Sequence, residues 1–160
     1  MQLLRQYIRA LLRESPSLRR PYQNKLRVFD FDDTLVKTGS MVHVTDSSGN
    51  TFDLTPGEYA VYSPSPGDQF DYSDFEKLIQ PKTIQWTAKI LRSITGKGGE
   101  VVILTARANP QPVKEFLQQA NLPDREVIAL GDSNPEKKAD YIRRRIELDA
   151  LEHVEFFDDS

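Results

Sequence analysis

The sequence predicts a doubly wound α/β domain, and three observations carry that expectation. Short apolar runs of strand character alternate with helical patterns between residues 84 and 157, as in a parallel sheet covered by helices on both faces. A length of 160 residues suits one domain with a single core. The composition, 38% apolar and 28% charged, is ordinary for a soluble globular chain.

The elements follow in chain order. Leu3, Leu4, Tyr7, Ile8, Leu11 and Leu12 share one stripe of a helix whose remaining surface carries arginines. This basic amphipathic arm, over 1–24, ends at Ser15-Pro16-Ser17 and runs through a polar linker to Gln23. The domain proper is expected over 25–160. Leu26–Phe31 is a buried strand that breaks into Asp32-Asp33-Thr34. Met41–Thr45 and Thr51–Leu54 flank the turn residues 46–50, which predicts a hairpin. Thr55-Pro56 opens a short helix over Gly57–Tyr62, Pro64 and Pro66-Gly67 make a loop, and Ser73 caps a second short helix through Leu78. Residues 39–80 thus form a small hairpin-and-helix insert, whose aromatics Phe52, Tyr59, Tyr62, Phe70, Tyr72 and Phe75 are expected to build its own small core.

Beyond Pro81 the pattern is regular: a helix at Ile84–Ile94 ending near Gly96, a strand at Val101–Leu104 closing on Thr105, a helix at Pro112–Ala120, a strand at Val127–Leu130, a helix at Pro135–Leu148 and a strand at Val154–Phe157 closing on Asp158-Asp159. Trp86 falls within the apolar pattern of its helix and is expected in the core. His43 and His153 lack ligand-spaced partners and are expected to be structural or exposed.

Charge narrows the chemistry. Residues 1–27 carry seven basic side chains against Glu14 and sum to +6, so the other 133 residues sum to -9. The sequence has no cysteine, which leaves neither disulfides nor a thiolate metal site. It also has no membrane span or secretory signal, so a cytosolic setting is expected.

Ligands of parallel α/β sheets bind at the carboxyl ends of the strands. Three expected strands end there in polar groups: Asp30, Asp32 and Asp33; Thr105 and Arg107; Asp158 and Asp159. Carboxylates crowded at one edge repel one another unless a hard cation sits among them, and an all-oxygen donor set suits Mg²⁺.

These runs resemble the haloacid dehalogenase (HAD) superfamily of phosphatases. Val28–Leu35 matches its first motif, Asp-x-Asp-x-Thr after an apolar strand, at every defined position. Val101–Thr105 matches the second, an apolar strand ending in Thr or Ser, and Val154–Asp159 the fourth, a strand ending in paired acids. The third motif's lysine is Lys137 or Lys138, with helical phase favouring Lys138. The resemblance implies a Rossmann-like, HAD-type sheet and phosphate monoester hydrolysis through an aspartyl-phosphate. In that scheme Asp30 is the nucleophile and Asp32 the general acid/base, and an acid at that position favours ester hydrolysis over the pump ATPases and dehalogenases. Mg²⁺ would sit on Asp30, the Asp32 backbone carbonyl and Asp158, with Asp159 at the metal or its waters. Thr105 and Lys138 would hold the phosphoryl oxygens. Arg107 could bind substrate phosphate or pair with a surface acid.

Two departures matter. Asp33 stands where the family most often has glycine; aspartate tolerates left-handed backbone, so the turn is expected to survive, and Asp33 could contact substrate. The sequence stops at Ser160 where relatives usually continue, so either it is trimmed or Asp158 sits on a frayed end.

The expected substrate is a small phosphate monoester. Residues 41–80 sum to -6, which repels a polyanion, although the basic arm keeps a polynucleotide end-phosphatase as the next reading. Leu12-Arg13-Glu14 resembles the cleavage signal of prohead proteases in large tailed phages, and phage-encoded HAD phosphatases look much like residues 28–159. The arm, residues 1–14, is therefore a candidate for capsid or partner docking, with the host cytoplasm or virion interior as the setting. A non-catalytic HAD-fold binding module is the rival reading.

Overall fold

The strand run at the start of the domain forms because Leu26, Val28 and Phe29 are apolar and shielded on both faces, which suits the middle of a parallel sheet. A computed structural model describes residues 24–159. The helical arm, its linker and the Leu12-Arg13-Glu14 motif lie outside the described residues. The elements are β1 (Lys25–Asp30), β2 (Val36–Lys37), β3 (Val42–Thr45), β4 (Thr51–Leu54), α1 (Pro56–Val61), β5 (Gln69–Asp71), a 3-10 turn (Ser73–Glu76), β6 (Lys82–Thr83), α2 (Gln85–Gly96), β7 (Glu100–Thr105), α3 (Gln111–Gln119), β8 (Glu126–Ala129), α4 (Pro135–Asp149) and β9 (His153–Phe157).

The chain divides into two compact units, one of residues 24–37 and 83–159 and the other Thr38–Lys82. The first is a mixed α/β unit around a four-stranded sheet in the order β8-β7-β1-β9, with every pairing parallel. That arrangement is compatible with a Rossmann-like fold. Residues of β1 alternate between its faces. Leu26 and Val28 join Val102, Leu104 and Val154 in a cluster with Ala139 and Ile142 of α4. On the alternate parity, Phe29 stacks on Phe157 at 4.3 Å, and Phe31, just past the strand, meets Phe116 of α3 edge-on at 5.7 Å.

The second unit is a three-stranded antiparallel sheet, β4-β3-β5, with α1 and the 3-10 turn. Val44 is buried between Phe52 on β4 and Phe70 on β5. Tyr59 and Tyr62 of the α1 segment pack edge-on against Phe70 at 5.6 and 6.2 Å, but the expected aromatic core is only a half-buried cluster of rings, with Phe52 and Tyr72 exposed and Val42 and Val44 the buried apolar residues. Thr55 caps α1 in a reciprocal box with Glu58. His43 is structural: its Nδ1 lies 2.7 Å from Asp53 and its Nε2 3.4 Å from Asp74.

Several expectations need correction. Trp86 is 73% exposed rather than in the core. The buried stripe of α2 is set by Ala88 and Leu91, and a residue two positions before Ala88 points about 200° around the helix from it. Gln69–Asp71, to which the sequence assigned no element, is a strand because β3 pairs with it. The helix expected from Ser73 to Leu78 is a 3-10 turn ending at Glu76, and Ser73 does not cap it.

Candidate active site

The sheet order itself marks a position for chemistry. From β1 the chain steps outward to β7 and β8, then returns to lay β9 on the other side of β1. The reversal of direction at β1/β9 is a switch point, where loops diverge and leave a crevice at the carboxyl ends of the strands. Asp30 ends β1 there. The pairing Phe29↔Phe157, carried one residue further, brings Asp158 alongside Asp30. On the opposite side Asp30↔Leu104 sets Thr105 level with Phe31.

After Asp30 the chain turns tightly. The carbonyl of Phe31 accepts from the backbone N–H of Leu35 at 2.9 Å and of Val36 at 3.2 Å, and Asp33 N–H donates to the Val36 carbonyl at 2.8 Å. Asp33 adopts φ 58°, the left-handed conformation that a short polar side chain accepts more readily than a branched one. Thr34 is buried and its carbonyl accepts from Thr87 Oγ1, which ties the turn to α2. Its own Oγ1 is buried without a hydrogen bond.

Lys138 reaches the same point from α4. Asn134 caps the helix by accepting from Glu136 N–H at 2.9 Å, and Pro135 occupies its first turn. Lys138, Ala139 and Ile142 then share the buried face, and Lys138 Nζ donates to Asp30 Oδ1 at 2.7 Å. Lys137 is exposed. The side chains of Asp30 and Lys138 are only 9% and 10% exposed. Burial pushes the Asp30 carboxyl up to about 6, against the lowering effect of the Lys138 charge and hydrogen bond; the Asp32 charge adds to the rise. Asp33 is also raised, first by burial and then by the charges of Asp159 and Asp32. Burial is thus the largest cause of the rise in both groups.

Thr105 is fully buried, and its Oγ1 accepts from Arg107 N–H at 3.2 Å. The hydroxyl hydrogen remains available for donation elsewhere. Arg107 pairs with an acid of the first motif rather than with a surface acid. Its Nη2 lies 2.8 Å from Asp32 Oδ1 and its Nε 3.0 Å from Asp32 Oδ2, a two-pronged pair with the acid of the first motif. Nothing in the spacing pointed to this contact, because the partners are 75 residues apart and meet through the β1–β7 pairing.

The donor set offers a hard cation oxygen ligands and no sulfur or nitrogen. Asp158 adds a buried carboxylate oxygen, Oδ2. Among the described residues no three or more His, Cys, Asp or Glu side chains converge as a metal site. Two carboxylates and one backbone carbonyl still suit Mg²⁺, which keeps several waters and takes the rest of its shell from phosphate. A cavity of about 700 Å³ lies elsewhere, at the amino-terminal ends of β7 and β8, beside Glu100, Lys114, Arg125 and Glu126. It contains none of the residues expected to act.

The fold and site thus define a parallel α/β protein with a lysine-paired carboxylate at its switch point. No family model, curated protein or solved structure matches the chain. No helix among the described residues is long and apolar enough to cross a membrane.

Proposed function

We propose that the chain is a Mg²⁺-dependent phosphohydrolase of the haloacid dehalogenase type, acting on phosphate monoesters through an aspartyl-phosphate. The carrying observation is the buried 2.7 Å contact of Lys138 Nζ with Asp30 Oδ1 at the carboxyl end of β1. A carboxylate kept from water but oriented by a lysine is suited to nucleophilic attack.

In this reading Asp30 attacks phosphorus in line as the bond to the leaving oxygen breaks. Asp32 gives that oxygen a proton, then takes one from the water that attacks phosphorus and releases Asp30. Thr105 Oγ1 and Lys138 Nζ donate to the phosphoryl oxygens, where negative charge develops. When bound, Mg²⁺ would screen the phosphate charge from Asp30 and stabilise the transition state. Asp30, the Asp32 backbone carbonyl and Asp158 would hold it, with Asp159 contacting its waters.

A small monoester is favoured over nucleic acid because residues 41–80 carry a charge of -6. The test is hydrolysis of an aryl phosphate with Mg²⁺, with EDTA, and by Asp30→Asn. Metal-dependent turnover abolished by the substitution is expected. Turnover no greater than that of Asp30→Asn would reject the reading. A panel including 3′- and 5′-phosphorylated oligonucleotides then tests the substrate class.

A further inference from the structure

Arg107 is the most deeply buried cation of the site, with its side chain 1% exposed, whereas its partner Asp32 is 23% exposed. A guanidinium taken that far from water needs an anion against it at all times, since an uncompensated buried charge is strongly destabilising. Its backbone is fixed on both sides: the N–H donates to Thr105 Oγ1 at 3.2 Å, and the carbonyl accepts from Gly131 N–H at 3.1 Å. The Phe31 ring lies 5.9 Å from the guanidinium carbon. The Arg107 backbone is thus held beside Thr105, the hydroxyl expected to meet the phosphoryl group, and its fork lies against Asp32 and the Phe31 ring. Meanwhile both oxygens of Asp32 are engaged, Oδ1 by Nε and Nη2 and Oδ2 by Nε. A carboxylate pinned through both oxygens is not free to turn onto a leaving group.

We infer that Arg107 is an exchange switch, pairing with Asp32 until a phosphoryl group takes its guanidinium and thereby frees Asp32 to take up a proton from solvent and pass it to the leaving oxygen. A guanidinium fork fits carboxylate and phosphate oxygens equally well, so the exchange preserves charge compensation throughout. A neutral ligand offers no replacement anion and leaves Asp32 held. The site thus selects for an anionic group by coupling its arrival to the release of the acid/base. This inference rests on the phosphoryl-binding reading of the site and adds a positioning role to it.

The test is a double-mutant cycle on the binding of inorganic phosphate, measured calorimetrically at fixed Mg²⁺ in the full chain, Arg107→Met, Asp32→Asn and the double variant. With Asp32 charged, phosphate must displace it, so Arg107→Met changes affinity by about threefold or less. With Asp32→Asn the competitor is gone, and Arg107→Met costs about tenfold or more, the scale of a lost charge-assisted contact. Equal factors in both backgrounds, the result expected if Asp32 only repels phosphate, would overturn the switch. So would a failure of both the full chain and Asp32→Asn to bind phosphate. If Arg107→Met does not fold, Arg107→Lys replaces it in the same cycle under the same criterion, because lysine keeps the charge and loses the fork. Aryl phosphate turnover is scored separately. Unequal factors without turnover sustain the switch and reject the hydrolase; turnover with equal factors does the reverse.

Discussion

Asp30 carries a charge that burial disfavours and Lys138 only partly restores. Its carboxyl is raised from 3.8 to about 6, so the folded protein binds a proton more readily there than the unfolded chain. The stability associated with that proton is full below the unfolded value and is lost as pH rises through about 6. Asp30→Asn removes this dependence. Between about pH 4 and pH 6.5 the parent should lose on the order of 2 kcal/mol relative to the variant, as read by urea unfolding. Parallel curves would contradict the raised value. Lys138→Met tests the other half of the pair. It leaves a buried carboxylate without its cation, at a cost of roughly 3–5 kcal/mol at neutral pH and less below about 6, where Asp30 takes up a proton. Turnover should fall to background. A destabilisation that is the same at every pH would separate Lys138 from Asp30.

At the scale of elements, what the sequence revealed depended on how local the cause was. β1 and β7 were legible because strands in the middle of a parallel sheet are buried on both faces and read as apolar runs, and β8 and β9, at its edges, carry short apolar runs of the same kind. Lys138 could be preferred to Lys137 because helix periodicity fixes which neighbour shares a face with Ala139 and Ile142. Gln69–Asp71 was not legible, since three residues with a single buried-facing aromatic become a strand only by pairing with β3. The Asp32–Arg107 pair was hidden for a similar reason: sheet register, not spacing, brings the two together. Trp86 was misread because an apolar side chain early in α2 looks like part of a stripe until Ala88 and Leu91 show where that stripe lies. Trp86→Ala should therefore change unfolding free energy by no more than about 0.5 kcal/mol, against roughly 3–5 kcal/mol for a core tryptophan. A core-sized loss in denaturant unfolding would restore the original expectation.

For the whole molecule, the order β8-β7-β1-β9 does the organising. Reversal between β1 and β9 opens the sheet edge where Asp30 and Asp158 come together, while β7 and α4 bring Thr105, Arg107 and Lys138 to the same end. The unit Thr38–Lys82 carries its own cluster of aromatic rings and a surplus of acids. Covalent catalysis on Asp30 has a direct signature. An aryl phosphate with a weakly basic leaving group needs little help from an acid to form the aspartyl-phosphate, but hydrolysis of that intermediate still needs the base. Rapid mixing of Asp32→Asn with such a substrate and Mg²⁺, followed by acid quench, should show a burst of about one phenol per chain. It should also leave a hydroxylamine-sensitive phosphate on Asp30 that is absent from Asp30→Asn. Steady turnover by the parent chain with neither burst nor bound phosphate in Asp32→Asn would contradict a covalent route through Asp30.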